Sequence, residues 1–135
     1  MNTKPVLGAS DVTKILYAAT DFAKTNNWAV AISVTDDGGH LLGMVRLDGA
    51  APMTAKMSEA KARTAAMGRR ETKIFEDIIA QGRVAFLSAP NLDGLLEGGV
   101  PVMADGQVIG AVGVSGVKSS DDAEIARAGI AALKL

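Results

Sequence analysis

The chain of 135 residues has no cysteine and only one histidine, His40. The first absence removes disulfides, thiolate zinc sites and cysteine nucleophiles; the second removes any site that needs two imidazoles, such as an HExxH metalloprotease helix. Aromatic residues make up only 4% of the chain, too few for a stacking platform on single-stranded nucleic acid. No apolar run reaches the roughly 18 residues of a membrane span. Met1 to Gly8 lacks the apolar stretch of a secretory signal, so the expected location is the cytoplasm. Charge of neither sign dominates. With 14 Lys and Arg against 15 Asp and Glu, the net charge of −1 argues against a broad electrostatic grip on nucleic acid or anionic lipid. No repeat, charge run or low-complexity tract divides the sequence, and a single domain over residues 1–135 is expected.

What is present is a core-forming composition, 48% hydrophobic with 15 glycines. Val12, Ile15, Leu16, Ala19, Phe22 and Ala23 follow helical spacing after Ser10, a candidate cap, and Asn26-Asn27 stops them. Trp28 to Thr35 alternates bulky Trp28, Val30, Ile32 and Val34 with small Ala29, Ala31, Ser33 and Thr35. That pattern predicts a strand with a helix packed closely on its small side. Asp36-Asp37-Gly38-Gly39 is a turn, and His40 to Leu47 returns as a second strand.

Pro52 opens a second helix running to about Met67, with Met53, Met57, Ala60, Thr64 and Met67 as its apolar stripe. Its other face, Ala55, Ala62 and Ala66, is small, which predicts packing on both sides, the second side against another subunit. Ile74, Phe75, Ile78 and Ile79 mark a third helix closed by Gly82, and Val84 to Leu87 reads as a short strand. Val100–Ala104 and Gln107–Ser115 flank Asp105-Gly106, a hairpin signal, and a last helix starts at Ser119 or Ser120. Hairpins imply antiparallel pairs, hence an α+β fold.

Most chemistry-bearing motifs fail on inspection. Gly110 to Gly116 is neither GxGxxG nor a Walker loop and reads as glycine under a closely packed helix. Ser115 lacks the second glycine of a nucleophile elbow, because Val117 stands there. His40 reads either as a turn histidine bonded to a neighbour or as a haem ligand or general base. His40, Leu42, Met44, Arg46 and Asp48 share strand parity, yet six residues separate His40 from Arg46 by roughly 20 Å. Arg46 and Asp48 can pair with each other. On the second helix Glu59 and Arg63 stand four apart and can neutralise each other, whereas Lys61 has no acidic neighbour at helical spacing. Lys61 therefore reads as the freer cation for a carboxylate or propionate.

Taken in order, several blocks resemble the GlcG/HbpS family, which includes the C-terminal domain of PduO-type corrinoid adenosyltransferases. They are Val34–Leu42, Arg46–Ala50, Ala60–Ala65, Gly98–Val102, Asp105-Gly106, Ile109–Gly116 and Asp121–Ala126. The resemblance implies a profilin-like α+β fold with a five-stranded antiparallel sheet, assembled as dimers and often octamers. It implies that some members bind haem or a corrinoid-related ligand. It also places His40, Arg46, Asp48, Lys61, Arg63, Gly98 and Gly99 near the family's pocket or subunit contacts. The first helix has no histidine, so a relative's ligand there has no counterpart, and His40, Tyr17, Lys61 or a methionine are the axial candidates. The expected function is a non-catalytic small-molecule binding protein with haem or another tetrapyrrole as leading ligand. The alternative is an enzyme or accessory protein acting on a small carboxylate or aromatic catabolite, with His40 as base. A homo-oligomer is expected, with neither nucleic-acid nor membrane partners.

Overall fold

A computed structural model describes every residue from Met1 to Leu135. The elements run α1 (Ala9–Thr25), β1 (Ala31–Asp36), β2 (Leu41–Arg46), α2 (Met53–Gly68), α3 (Thr72–Ala80), a 3-10 helix (Val84–Ser88), β3 (Gly99–Ala104), β4 (Gln107–Ser115) and α4 (Ser119–Ala131). The strands form one antiparallel sheet in the order β2-β1-β4-β3. The α+β class holds, but the sheet has four strands and not five. The expected strand at Val84 to Leu87 is the 3-10 helix. It follows Gly82 at φ 110°, lies against α3, and has no sheet edge beside it. Phe86 packs edge-on against Phe75 at 5.7 Å, while Val84 and Leu87 stay exposed.

The bulky and small faces read from β1 are real, and they divide the whole sheet. Ile32 and Val34 of β1, Val112 and Val114 of β4 and Val100 and Val102 of β3 share one face through the antiparallel register. With Ile15, Ala19, Ala123 and Ile125 of α1 and α4 they form the main core. Each valine or isoleucine among them contributes about 1.5–3 kcal/mol by leaving water. The other face is Ala31, Ser33 and Thr35 with Ala111, Gly113 and Gly99, and α2 lies on it. A Cβ on Gly113 would stand 2.5 Å from the Ala62 nitrogen, so α2 sits at backbone distance from the sheet. The glycine stretch of β4 thus does what its bland reading predicted.

This close approach turns α2 the opposite way from the methionine-stripe expectation. Ala62, Ala65 and Ala66 are fully buried on the sheet, while Met53 and Met67 are exposed. The small face is therefore the chain's own core contact and not a subunit contact. Only small side chains fit over Gly113 and Ala111. Ala60 and Thr64, further round α2, are covered within the chain, because Gly94 abuts Ala60 and Thr64 donates its hydroxyl to the Asp93 carbonyl.

Helix ends also differ locally from the sequence reading. The cap of α1 is Gly8, not Ser10, with the Asp11 carboxylate accepting the Gly8 N–H at 2.8 Å. The β1 ladder starts at Ala31 because Trp28 first donates its N–H back to Ala23 to close α1. Neither Ser119 nor Ser120 caps α4. Lys118 precedes it, and Asp122 takes the Val117 N–H instead.

Candidate functional site

The predicted site residues fall in three places. The first is the β1–β2 turn. Asp36 ends β1, and its Oδ1 accepts the backbone N–H groups of Gly38 and His40, both at 2.9 Å. The same carboxylate lies 3.1 and 3.2 Å from His40 Nδ1. Burial raises the Asp36 carboxyl, but the two N–H donors and the His40 ring outweigh it and hold the group below its ordinary value. Nδ1 must carry the proton that meets a carboxylate, so a neutral His40 keeps its lone pair on Nε2. The ring is 81% exposed. A carboxylate on one imidazole nitrogen with the other left free is the arrangement that orients metal-ligating histidines.

Strand parity did not survive at this end of β2. Val34 pairs with Gly43 but Thr35 pairs with Leu41, leaving Leu42 as a bulge. His40 therefore lies before the strand and off the face that Met44 and Arg46 share.

Arg63 reaches the same turn from α2. A Cβ on Gly39 would stand 2.7 Å from Arg63 Cγ, so glycine at φ 84° lets the arginine stem lie across the turn beside His40. The expected Glu59–Arg63 pairing is replaced by a bond from Arg63 Nη2 to Asp93 at 2.6 Å. Arg63 also borders a cleft of about 360 Å³ with Lys56, Met57, Ala60 and Gly94. That cleft offers two cations beside a thioether, and the carboxylates of Glu59 and Asp93 line it as well.

The second place is buried. Lys61 is not the freer cation: only 2% of the residue is exposed, and Nζ donates to the Val114 carbonyl at 2.9 Å and to Asp122 at 3.1 Å. Sixty-one positions separate Lys61 from Asp122, so no helical-spacing argument could find the pair. Gly98 and Gly99 belong to this lysine. A Cβ on Gly98 would meet Lys61 Nζ at 2.9 Å, and one on Gly99 would meet Thr72 Cγ2 at 2.7 Å. Burial holds the Asp122 carboxyl above its ordinary value despite Lys61 and the Val117 N–H. Asp122, not singled out in the sequence, is the buried ion-pair partner of Lys61; its signals were the acidic first turn of α4 and its place in the Asp121–Ala126 block.

The third place is the far end of β2. Arg46 is exposed, and no ion pair of the chain joins it to Asp48. Asp48 borders a separate recess with Lys24, Trp28 and Leu47. Tyr17 lies in a groove of its own with Leu16, Thr20 and Val45, between α1 and β2. Within one chain, then, the structure lays the Arg63 stem against Gly39, the residue before His40, joins Lys61 with Gly98 and Gly99, and brings neither group to Arg46. No cluster of three His, Cys, Asp or Glu side chains could hold a bare metal ion.

A family model described as "Haem degrading protein HbpS-like" matches residues 7–131. The chain belongs to this family. Protein GlcG of Escherichia coli strain K12 is 55% identical over 115 residues, 85% of each chain. A crystal structure of HbpS superposes with a TM-score of 0.89 at 31% identity, covering 98% of this chain and 94% of that one. A structure described as a PduOC:heme complex matches with a TM-score of 0.85 at 25% identity over 95% of each chain. The corrinoid adenosyltransferase PduO of Salmonella typhimurium is 28% identical, and the match spans only 41% of its length. None of these likenesses supports the alternative of an enzyme with His40 as base. No helix is long and apolar enough to cross a membrane.

Proposed function

We propose that this chain is a binding protein for haem or a closely related tetrapyrrole, held at the β1–β2 turn with His40 Nε2 as the iron ligand. The observation that carries the reading is the Asp36–His40 contact at 3.1 Å, which leaves Nε2 free on an exposed ring. The donor set fits the group: one imidazole for the iron, Lys56 for a carboxylate, and Arg63 where a haem carboxylate displaces its exposed partner Asp93. Met57 and the half-exposed Leu41 and Leu42 supply apolar contact for the rings. Likeness to a PduOC:heme complex and membership of the HbpS-like family support the ligand class. Bound haem would supply an iron centre; the chain's own part is to orient one imidazole and neutralise the carboxylates. Lys61 has no place in this site, because its ammonium is already enclosed by Asp122 and Val114.

Titration of the metal-free protein with haemin, followed at the Soret band, tests this. A saturable shift in the wild type that is lost in His40→Ala is expected. A shift that survives in His40→Ala moves the ligand elsewhere, and no saturable shift in the wild type removes haem.

A further inference from the structure

Helix α2 ends on a residue that backbone sterics disfavour. The N–H groups of Arg69 and Arg70 donate to the Ala66 and Ala65 carbonyls, both at 3.2 Å. This double closure puts a left-handed residue just past the helix, a place that glycine usually takes. Here it is Arg69, at φ 56° and ψ 34°. Glycine stands one position earlier, at Gly68, where a Cβ would meet Phe75 Cζ at 2.9 Å. The other non-glycine residues at positive φ are Asn27, Asn91, Asp105 and, one place from the last residue, Lys134. Asn and Asp tolerate this conformation through short polar side chains; an arginine gains nothing from it locally.

What Arg69 gains lies across the fold, in the β1–β2 turn. Its Nη1 donates to the Asp37 carbonyl as well as to the Ala66 carbonyl. Its Nη2 lies 4.0 Å from the Asp37 carboxylate, which Lys4 Nζ meets at 2.5 Å. Lys4 belongs to the segment before α1, and that segment is held to β4. Gln107 donates to the Thr3 carbonyl at 3.1 Å, and Leu7 lies against Gly110. Asp37 is thus pinned by the end of α2 and by the N-terminal arm. It directly follows Asp36, whose carboxylate holds the backbone N–H and the Nδ1 of His40.

We propose that Arg69, assisted by Lys4, is a positioning residue for His40. By holding Asp37 it keeps the turn closed, so that Asp36 faces Nδ1 and Nε2 stays free for the iron. The left-handed place is kept by an arginine because its side chain spans from α2 to the turn. Glycine there would relax the backbone and release the turn. The inference rests on the haem reading of this turn, but the clamp itself is a property of the haem-free chain.

The test uses Arg69→Gly and Lys4→Ala, neither of which removes a group placed in the haem site. His40 is the only histidine, so NMR of the imidazole nitrogens reads one ring and its tautomer in the haem-free protein. At a pH where the ring is neutral, the wild type should hold the proton on Nδ1. Both variants should move part of it to Nε2. Arg69→Gly should do so with a urea midpoint at or above that of the wild type, since glycine suits the left-handed place. Haemin titration should then show Arg69→Gly binding more weakly by on the order of tenfold, the loss expected for one charge-assisted hydrogen bond. A ring unchanged in both variants overturns the clamp. A midpoint of Arg69→Gly well below the wild type overturns the reading of its strain. A shifted ring with unchanged haemin affinity overturns the role of the clamp in the site. A wild type that binds no haemin removes the haem reading instead, and the tautomer still decides the clamp.

Discussion

The two sides of α2 show what decides burial in this protein. The side on the sheet carries Ser58, Ala62 and Ala65, together with a lysine, and is almost dry; the methionine side is exposed at both ends, at Met53 and Met67, and covered by a loop between them. Hydrophobicity alone predicts the reverse. The sheet beneath α2 is made of Gly113, Ala111, Ala31 and Ser33, so the helix approaches to backbone contact and only small side chains fit between. Lys61 reaches the interior only because its stem passes Gly98 and Gly99 to meet Asp122. Size sets which side faces in, and a single ion pair lets one long side chain follow.

The most severe break is at the backbone contact itself. Gly113→Ala should cost about 3 kcal/mol or more, because the atoms it meets are the main chain of α2 and cannot swing aside. On the bulky face the matching change, Ile32→Val, removes a methylene and should cost only about 0.5–1.5 kcal/mol. Urea unfolding of the two variants compares them directly, and equal costs would mean that the faces are packed alike. Ala62→Glu, which lies in that same contact, should unfold the chain and so says nothing about assembly.

Lys61→Met should cost about 3–5 kcal/mol by stranding the Asp122 carboxylate in the interior. Adding Asp122→Leu to it should recover most of the loss, since no buried charge then remains. A double variant no more stable than Lys61→Met would show that the pair does more than cancel its own burial.

The pH dependence separates the two regions by sign. Burial raises Asp122 above its ordinary 3.8, so the folded chain holds that proton more tightly than the unfolded one. Its contribution is present below that value and is lost as pH rises through the folded one. Asp36 is lowered from 3.8, so its contribution is present above that value and is lost as pH falls through the folded one. In urea unfolding between about pH 3 and pH 7, Asp36→Asn should reduce the loss of stability in acid. Asp122→Asn should instead remove a loss that appears as pH rises. Shifts of the same sign would contradict the assignment.

Much of this was legible in the sequence. The alternation in β1 gave both faces of the sheet, Asp105-Gly106 the β3–β4 hairpin, and the ordered blocks the family. The turn at Asp36 to His40 could be read because its partners are local. Lys61 could not, since its partner Asp122 comes from α4 across the fold. The fate of Val84 to Leu87 was equally hidden: a short apolar run is a strand only where an edge is free beside it. The Leu42 bulge, which moved His40 off its expected face, arises from pairing with β1 and leaves no mark in β2 alone.

The smallest expected effect on stability is at Arg63, whose exposed pair with Asp93 is worth no more than about 1 kcal/mol. That makes Arg63 and Lys61, two residues apart on one helix, the sharpest test of the account. Arg63→Ala and Lys61→Met would be compared by urea unfolding and by haemin titration of the folded fraction. The account predicts that Arg63→Ala unfolds near the wild-type midpoint but binds haemin more weakly, while Lys61→Met unfolds early and binds with unchanged affinity once folded. The opposite pattern, with haemin affinity following Lys61 and stability following Arg63, would contradict it.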